Sequence, residues 1–502
     1  MIEIPLDFIQ ACTTLRELRL THMYMKKVPQ SLRHSQTLHR LDLSCNSIKD
    51  LEDAYLDHIQ GLLVIFLQNN RLEKLPWHFP RLRSLVTLNI SNNKFRTFPL
   101  VVTQLESLRH LDISFNMITE LPEEIGRLVM LEQFILLGNQ VTKFPDECCN
   151  LINLRVLDCR RNHISDLTPI CTLPQITTLS ARHNAVHALD LSLGPDFTTL
   201  DASHNDITQL SLPPGPMGRP SYALIALDIS YAKLSSLDIA LGQLSSLRTL
   251  KFDHNSIRSI PDTLGDLKWL ETLSCTDNKL DALPSTIGKL QKLEVLDAHN
   301  NSLTELPQSL WNCASLTKIN ITSNLLASWH DPPVVVQEAD RNSNSPAPSR
   351  RMSTASIAST IGNIRPNYPP LVYSLEKLYL GENCLMDNDI LPLMIFKELR
   401  VLNLSFNEIQ DLPPAFFRNM AHLEELYLSG NKLTSIPAED LHRLTRLTTL
   451  YLNGNKLHTL PQELGKVTHL TILDVGSNFL KYNINNWEFD WNWCVSFSLS
   501  VC

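Results

Sequence analysis

The chain has 502 residues, of which 44 are Lys or Arg and 52 are Asp or Glu, so its formal net charge is −8 at pH 7. This balance argues against a protein that binds nucleic acid or an anionic membrane through its overall charge. The first residues, MIEIPLDFIQ, lack the basic region of a secretory signal, and no apolar run approaches the roughly 18 residues of a membrane span. We therefore expect a cytoplasmic chain that is at most peripheral to a membrane.

A short phrase that ends in asparagine recurs along the chain. Its form is L-x-x-L-x-L-x-x-N, seen at Leu38, Leu41, Leu43 and Asn46, and almost every step from one asparagine to the next is 21 to 24 residues. The 17 asparagines are Asn46, Asn70, Asn93, Asn116, Asn139, Asn162, Asn184, Asn205, Asn255, Asn278, Asn301, Asn324, Asn383, Asn407, Asn431, Asn455 and Asn478. Two further repeats carry Met23 and Ala232 instead, which brings the number in register to 19.

This spacing predicts the fold. The leucines at the fourth and sixth places point to the same side of a short strand, and stacked repeats bury them together. We expect the asparagine amide to pair with backbone groups of adjacent coils, so that losing one costs about 1–3 kcal/mol. The pattern predicts an α/β solenoid, a leucine-rich repeat horseshoe of about 19 repeats with parallel strands on its concave face.

The repeat register is interrupted once, between Asn324 and Asn383, where the step is 59 residues. The intervening segment is rich in Pro and Ser and has few large apolar residues, a composition that cannot offset the entropy of ordering. We therefore assign leucine-rich repeats to residues 1–328, which begin in mid-repeat, and a disordered Ser/Pro-rich insertion to 329–370. Repeats with an aromatic exit motif follow at 371–493, and residues 494–502 form an aberrant tail that does not follow the repeat pattern.

The insertion holds one candidate modification site. Arg350, Arg351, Met352 and Ser353 have the two-basic-then-serine spacing that basophilic kinases favour, because the paired arginines meet acidic groups on the enzyme. Ser353 is therefore a phosphorylation candidate, and chance occurrence of so short a motif is the alternative.

No catalytic constellation is present in the sequence. The chain contains no Walker-type loop, no H-E-x-x-H, no C-x-x-C and no G-x-S-x-G. Four histidines recur near the strand ends, where solvated or capping roles are commoner than metal binding; they are His183, His204, His254 and His299. We predict no catalytic residue and no metal site, and we expect the 11 cysteines to be reduced and mostly packed.

The exposed strand positions form two patterns on the predicted concave face. The residue between the fourth and sixth places is acidic in seven repeats: Asp42, Asp112, Asp158, Asp201, Asp228, Asp297 and Asp474. The same place holds Tyr379, Tyr427 and Tyr451 further along. Tyrosine buries a large apolar area and keeps a polar tip, so these three are candidate anchors for a protein partner. A solvated aromatic ladder is the alternative.

A compact basic group lies just after the strands of two successive coils. It consists of Arg160, Arg161, Arg182 and His183. An acidic partner would fit this group in an otherwise acidic chain. Local salt bridges to Asp158 and Asp201 are the alternative.

The stretch 473–493, LDVGSNFLKYNINNWEFDWNW, is more specific than any repeat and resembles the repeat exit of fungal adenylate cyclases. The opening residues Met1–Gln10 and the insertion around Ser353 also resemble that family, so the likeness covers residues 1–493. In that family a Ras-associating domain precedes the repeats, while a phosphatase-like domain and a class III cyclase domain follow. None of those three domains is in this sequence.

The resemblance implies that the repeats bind a GTP-loaded Ras-type GTPase and thereby control the synthesis of cyclic AMP from ATP. The effector surface of such GTPases is acidic, which favours the basic group as the contact. Membrane association would be indirect, at the inner face and through the GTPase. Magnesium is expected for the absent cyclase domain, whereas this chain is expected to carry no cofactor and no catalytic residue of its own.

From Cys494 onward the chain departs from the family pattern, which a read-through intron, a broken gene model or a genuine short isoform would explain. Whether the chain belongs to an enzyme therefore stays open. One alternative is a stand-alone repeat scaffold that binds a small GTPase or another signalling protein without catalysis. Another is a repeat-containing phosphatase, whose catalytic domain is equally absent.

Overall fold

Nearly every coil of the chain follows one design, a three-residue strand, a tight turn and a short 3-10 helix. The computed structural model describes residues 3–212, 223–333 and 368–480. These residues fall into two compact units, Met1–Leu234 and Ser235–Cys502. Within each unit the predicted α/β leucine-rich repeat solenoid is confirmed.

The strands of the first unit run parallel to one another. Ten of them form one sheet: β1 Glu17–Arg19, β2 Arg40–Asp42, β3 Val64–Phe66, β4 Thr87–Asn89, β5 His110–Asp112, β6 Gln133–Ile135, β7 Val156–Asp158, β8 Thr178–Ser180, β10 Thr199–Asp201 and β12 Ala226–Asp228. A separate parallel pair is formed by β9 Ala188–Asp190 and β11 Gln209–Ser211.

The second unit contributes nine parallel strands. They are β13 Thr249–Lys251, β14 Thr272–Ser274, β15 Val295–Asp297, β16 Lys318–Asn320, β17 Lys377–Tyr379, β18 Val401–Asn403, β19 Glu425–Tyr427, β20 Thr449–Tyr451 and β21 Ile472–Asp474. We call these nine strands and the ten strands of the large sheet in the first unit the main strands. They match, one for one, the 19 repeats that the asparagine spacing predicts.

Short helices return the chain between strands. The α-helices are α1 Leu6–Ala11 and α2 Thr168–Cys171. Among its described residues, the 3-10 helices of the first unit are Gln30–His34, Glu52–Ala54, Leu56–His58, Phe79–Arg81, Leu100–Gln104, Glu123–Arg127 and Asp146–Asn150. Those of the second unit are Ile239–Gln243, Asp262–Asp266, Ser285–Lys289, Gln308–Asn312, Pro370–Tyr373, Leu391–Ile395, Leu441–Arg443 and Gln462–Lys466. Many begin after a proline in extended conformation, as at Pro122 and Pro307, because proline fixes φ and needs no hydrogen-bond partner for its nitrogen.

The middle residue of each main strand packs into the core. Leu250, Leu273 and Leu296 pair in register on β13, β14 and β15, and all three are fully buried. The residues on either side point the other way, since successive strand side chains alternate. Most of these flanking residues are half-buried, and together they form the surface that we call the strand face.

The asparagine of each phrase joins neighbouring coils. Asn139 shows the arrangement: its Nδ2 donates to the carbonyl oxygens of Leu136, in its own coil, and Ile113, in the preceding coil, at 3.0 and 3.1 Å. Its Oδ1 accepts the backbone N–H of Ile118 at 3.1 Å. Asn139 is 6% exposed, and without its side chain the N–H of Ile118 would be buried and unpaired, whereas the carbonyl oxygens of Leu136 and Ile113 would keep Asn162 and Asn116 as donors. The predicted role of the asparagine is confirmed.

The seven aspartates of the predicted acidic stripe also have a backbone role. Each accepts the N–H of the residue two positions further on, at 2.9 to 3.4 Å, as Asp201 does from Ser203. Asn320 and Asn403 hold the same position and accept the N–H of Thr322 and Ser405. The stripe is therefore, in the first place, a row of turn caps.

The residue before each asparagine has a left-handed backbone. One such residue occurs per main strand: His22, Cys45, Asn69, Asn92, Phe115, Gly138, Arg161, His183, His204 and Tyr231 in the first unit, and His254, Asp277, Asn300, Ser323, Glu382, Phe406, Gly430, Gly454 and Ser477 in the second. Only three of these are glycine, so the fold holds side chains at a positive φ that they otherwise rarely adopt. This column of residues is called the turn column below.

The packed structure of the second unit reaches into the segment assigned to the insertion. Trp329 is 6% exposed, and its ring centroid lies 5.8 Å from that of Trp311 and 6.2 Å from that of Phe396. Pro370 already starts a 3-10 helix. Trp329 and Pro370, the first and last residues of the segment assigned to the insertion, therefore belong to the packed structure that is described. Ser353, the remainder of the insertion from 334 to 367, residues 481–493 of the exit motif and the tail at 494–502 lie outside the described residues.

Replacing one of the asparagines that join neighbouring coils is expected to destabilise the second unit. In Asn324→Ala, the N–H of Leu303 loses its partner, and the carbonyl oxygens of Ala298 and Ile321 each lose one of two asparagine donors, which is expected to cost about 1–3 kcal/mol. Urea unfolding followed by tryptophan fluorescence measures the loss, because Trp311 and Trp329 are buried in the same region. Asn312→Ala, at an exposed side chain, is the matched control. Equal stability of the two variants would contradict the role of Asn324 in joining neighbouring coils.

The cap role of the aspartates predicts a difference between two substitutions of Asp201. Asp201→Asn keeps an oxygen for the N–H of Ser203, as Asn320 and Asn403 do naturally, and is expected to change stability little. Asp201→Ala removes the acceptor and is expected to cost about 1.5–3 kcal/mol, the range for a bond to a charged group. The amide hydrogen exchange rate of Ser203, measured in each variant, reports how far each substitution weakens the cap. Similar exchange rates in the two variants would show that the cap does not matter.

Candidate partner-binding surfaces

The predicted basic group forms one surface of the first unit. Arg160 and Arg182 follow β7 and β8 by two residues, and Arg161 and His183 come next, in the turn column. The backbone N–H of Arg161 donates to the carbonyl oxygen of Arg182 at 2.9 Å, so the two coils are adjacent. All four side chains are exposed. The structure therefore brings the four predicted residues together.

The four residues differ in how far their charges are already neutralised. Arg160 forms a two-pronged ion pair with Asp158, with Nη2 to Oδ2 at 2.6 Å and Nε to Oδ1 at 2.9 Å. Local salt bridging therefore holds for Arg160. Among the described residues Arg161 and Arg182 have no ion pair, and Asp201 instead accepts two hydrogen bonds from Ser203. The free positive charge of this surface lies on Arg161 and Arg182.

Two aromatic residues extend the surface beyond the prediction. The imidazole rings of His183 and His204 stack with centroids 4.2 Å apart, and His204 stacks on the Tyr231 ring at 4.0 Å and 11°. His204 and Tyr231 occupy the turn column in the next coils, so the same register position could have revealed them. We call the set of Arg161, Arg182, His183, His204 and Tyr231 the basic ridge.

The hydrogen bonding of the basic ridge defines the protonation of His204. Arg182 Nη2 lies 2.9 Å from His204 Nε2, and a guanidinium group can only donate. His204 Nε2 is therefore the acceptor, and the ring is neutral with its proton on Nδ1. Burial, and then the neighbouring cationic side chains, lower the pKa of both His183 and His204 from 6.5. Both rings are neutral at pH 7.

The three predicted tyrosines lie on the strand face of the second unit but do not form one continuous stack. Tyr427 and Tyr451 are register partners on β19 and β20, and their rings stack at 5.2 Å and 8°. Tyr379 is separated from them by Asn403 on β18. Tyr427 Oη donates to Glu425 Oε2 at 2.7 Å, and burial together with this bond raises the pKa of Tyr427 to about 12.

The candidates for a metal site or a reactive thiol are the His, Cys, Asp and Glu side chains of the described residues. In the described part of the chain, no set of three or more His, Cys, Asp and Glu side chains is arranged to hold a metal ion. Nine cysteines in the same residues are free, and burial raises the pKa of Cys148, Cys171 and Cys313 to about 12, so these thiols stay protonated. None of the described helices has the length and apolarity needed to cross a bilayer.

Solved leucine-rich repeat proteins share the fold. YopM from Yersinia enterocolitica superposes with a TM-score of 0.61 at 23% identity, over 95% of this chain and 90% of that structure. The plant peptide hormone receptor RGFR1 superposes with a TM-score of 0.56 at 21% identity, over 97% of this chain and 88% of that one. At this level of identity the likeness shows the architecture alone.

Family models match the repeats in several segments. The model "Leucine rich repeat" matches residues 36–95 and 397–457, and a second model of the same description matches 107–128. The model "Leucine-rich repeat region" matches residues 222–337.

Curated relatives named adenylate cyclase match parts of the chain. That of Mycosarcoma maydis is 60% identical over 138 residues, which cover 26% of this chain and 6% of the relative. Those of Lachancea kluyveri and Schizosaccharomyces pombe are 37% and 29% identical over 182 and 204 residues, covering 36% and 40% of this chain and 8% and 12% of the relatives. The matches thus span no more than 12% of these relatives' length. Together with the repeat models, they identify the chain as a leucine-rich repeat region homologous to that of fungal adenylate cyclases.

Proposed function

We propose that the chain is the regulatory repeat region of an adenylate cyclase, which binds a GTP-loaded Ras-type GTPase and so controls the synthesis of cyclic AMP from ATP. The observation that carries this proposal is the 60% identity to the Mycosarcoma maydis adenylate cyclase over 138 residues. The chemistry itself would belong to a separate cyclase domain, with magnesium as its metal.

The basic ridge is the surface that best fits a GTPase with an acidic effector face. The guanidinium groups of Arg161 and Arg182, which form no ion pair among the described residues, can form hydrogen bonds with carboxylates. The stacked rings of His183, His204 and Tyr231 beside them offer flat contact area that loses little side-chain entropy on binding. Charge and aromatic surface occur together here, which is typical of the energetic centre of an interface.

Tyr379, Tyr427 and Tyr451 are not part of the proposed GTPase contact. They lie in the second unit, and the Tyr427 hydroxyl is already bonded to Glu425. The tyrosine side chains themselves carry no positive charge for an acidic partner.

Charge reversal on the basic ridge is expected to weaken GTPase binding. The double variant Arg161→Glu/Arg182→Glu is expected to lose at least about tenfold in affinity, or about 1.4 kcal/mol, because attraction becomes repulsion. Calorimetric titration of the full chain with a Ras-type GTPase, loaded with a non-hydrolysable GTP analogue, measures this. Arg160→Gln is expected to have a smaller effect, since Asp158 already neutralises that arginine.

The control for this experiment is Arg83→Glu/Arg96→Glu, which makes the same change of four charge units at two exposed arginines outside the basic ridge. An equal loss in the control would mean that only net charge matters, and unchanged affinity in the double variant would reject the basic ridge. Adding the wild-type chain to a membrane extract with GTPase-stimulated cyclase distinguishes the regulatory region of a cyclase from a stand-alone repeat scaffold. A chain that binds but leaves cyclic AMP output unchanged supports a scaffold without catalysis.

The affinity for the GTPase is expected to rise as the pH falls. In the free chain the pKa values of His183 and His204 lie below 6.5, so both rings are neutral at pH 7. A bound acidic surface raises these values, so protons are taken up on binding and the complex gains stability as the pH falls from about 7.5 to about 6.

The measurement is the affinity at those two pH values for the wild type and for His183→Asn/His204→Asn. Asparagine tolerates the left-handed backbone of both positions. His187→Asn, at an exposed histidine outside the basic ridge, is the control. If the double variant keeps the full pH dependence of the wild type, the two imidazoles do not take up the protons.

A further inference from the structure

Two lysines lie side by side on the strand face of the second unit. Lys318 is the first residue of β16, Lys377 is the first residue of β17, and the two are partners in the parallel register. Neighbouring strands are about 4.8 Å apart, so the two side chains leave the same face next to each other. Like charges in such a position destabilise a sheet.

The repulsion between the two lysines is not relieved by an acidic neighbour. Neither lysine belongs to an ion pair within residues 3–212, 223–333 and 368–480. The flanking residues in the same register column are Val295 and Val401, which carry no charge. Glu376, next to Lys377 in sequence, is 3.7 Å from Arg400 Nε. Elsewhere on the repeats oppositely charged residues face each other, as Arg109 and Glu132 do at 2.6 Å.

The fold does not require lysine at these positions. The first strand residue is threonine on β13, β14 and β20 and valine on β15 and β18, with the same parallel pairing. A destabilising pair at a position where other residues suffice is the signature of a binding surface rather than of packing.

Aromatic side chains adjoin the two lysines. Lys318 Nζ lies 5.9 Å from the centre of the Tyr379 ring, and burial raises the pKa of Tyr379, so its hydroxyl stays protonated and can donate. Beyond Asn403 follows the Tyr427–Tyr451 stack. The strand face therefore changes from cationic on β16 and β17 to aromatic on β19 and β20, where Glu425 is held by the Tyr427 hydroxyl.

We propose that this lysine–tyrosine face, formed by Lys318, Lys377, Tyr379, Tyr427 and Tyr451, binds an acidic segment of a partner protein. The two ammonium groups hold carboxylates of the segment, the Tyr379 hydroxyl donates a hydrogen bond, and an apolar side chain of the segment packs on the Tyr427–Tyr451 stack. Carboxylates fit better than phosphate, because the face lacks an unpaired arginine for bidentate phosphate binding. This surface lies within the second unit and does not depend on GTPase binding to the basic ridge.

The test uses the full chain and a fluorescent peptide of repeated Glu-Glu-Leu units, with fluorescence anisotropy at low ionic strength as the readout. Two comparison peptides replace every Glu by Gln or by phosphoserine. The wild-type chain is expected to bind the Glu peptide more tightly than either. Failure to bind the Glu peptide, or tighter binding of the phosphoserine peptide, would overturn the proposal.

The variants are Lys318→Gln/Lys377→Gln and Tyr451→Ser, with Lys432→Gln as the control, because Lys432 is a half-buried lysine already paired with Glu408 at 3.0 Å. The double lysine variant is expected to lose at least about tenfold in peptide affinity, and Tyr451→Ser a smaller amount. The control is expected to bind as the wild type does. Equal losses in the double variant and the control would overturn the proposal.

Thermal unfolding of the same variants distinguishes binding from structure. Because the double variant removes a repulsion, its unfolding midpoint is expected to equal or exceed that of the wild type, whereas a structural role would lower it. Its affinity for the GTPase is expected to be unchanged. A loss of GTPase binding with retained peptide binding would move the GTPase contact to this face and overturn the proposal as stated.

Discussion

The structure depends on the hydrogen bonds that each asparagine makes between one coil and the next. In Asn139 a single amide group bonds the carbonyl oxygens of two coils and the N–H that follows the preceding turn. The N–H group is buried, so the side chain that recurs in 17 of the 19 repeats gives it a partner and holds neighbouring coils together. The repeat length and the register of most main strands follow from this one constraint.

A constant register leaves the positions around it free to vary, and those positions form the surfaces. The middle strand residue must be apolar, whereas the flanking residues and the turn column accept charged, aromatic and small side chains alike. Neighbouring coils bring equivalent positions within about 4.8 Å, so residues more than 20 apart in sequence become direct neighbours. The stack of His183, His204 and Tyr231 and the pair of Lys318 and Lys377 both arise in this way.

Charge on such a surface cannot be read from composition. The seven aspartates of the acidic stripe cap the backbone of their own turns, and Asp158 in addition neutralises Arg160. The positive charge left for an acidic partner is therefore that of cations without an ion pair among the described residues. In the first unit these include Arg161 and Arg182, and in the second unit Lys318 and Lys377.

The sequence by itself determined the α/β solenoid, the 19 repeats and the residues that face inward, because a period of 21 to 24 residues with fixed leucines and asparagines has one compatible packing. It also located four members of the basic surface and the three tyrosines. Only the tertiary structure decided that Arg160 is neutralised, that His204 and Tyr231 complete the stack, and that Trp329 packs with Trp311 and Phe396. These contacts join side chains of different coils, and their rotamers and distances are set by packing, which the local pattern of a repeat does not encode.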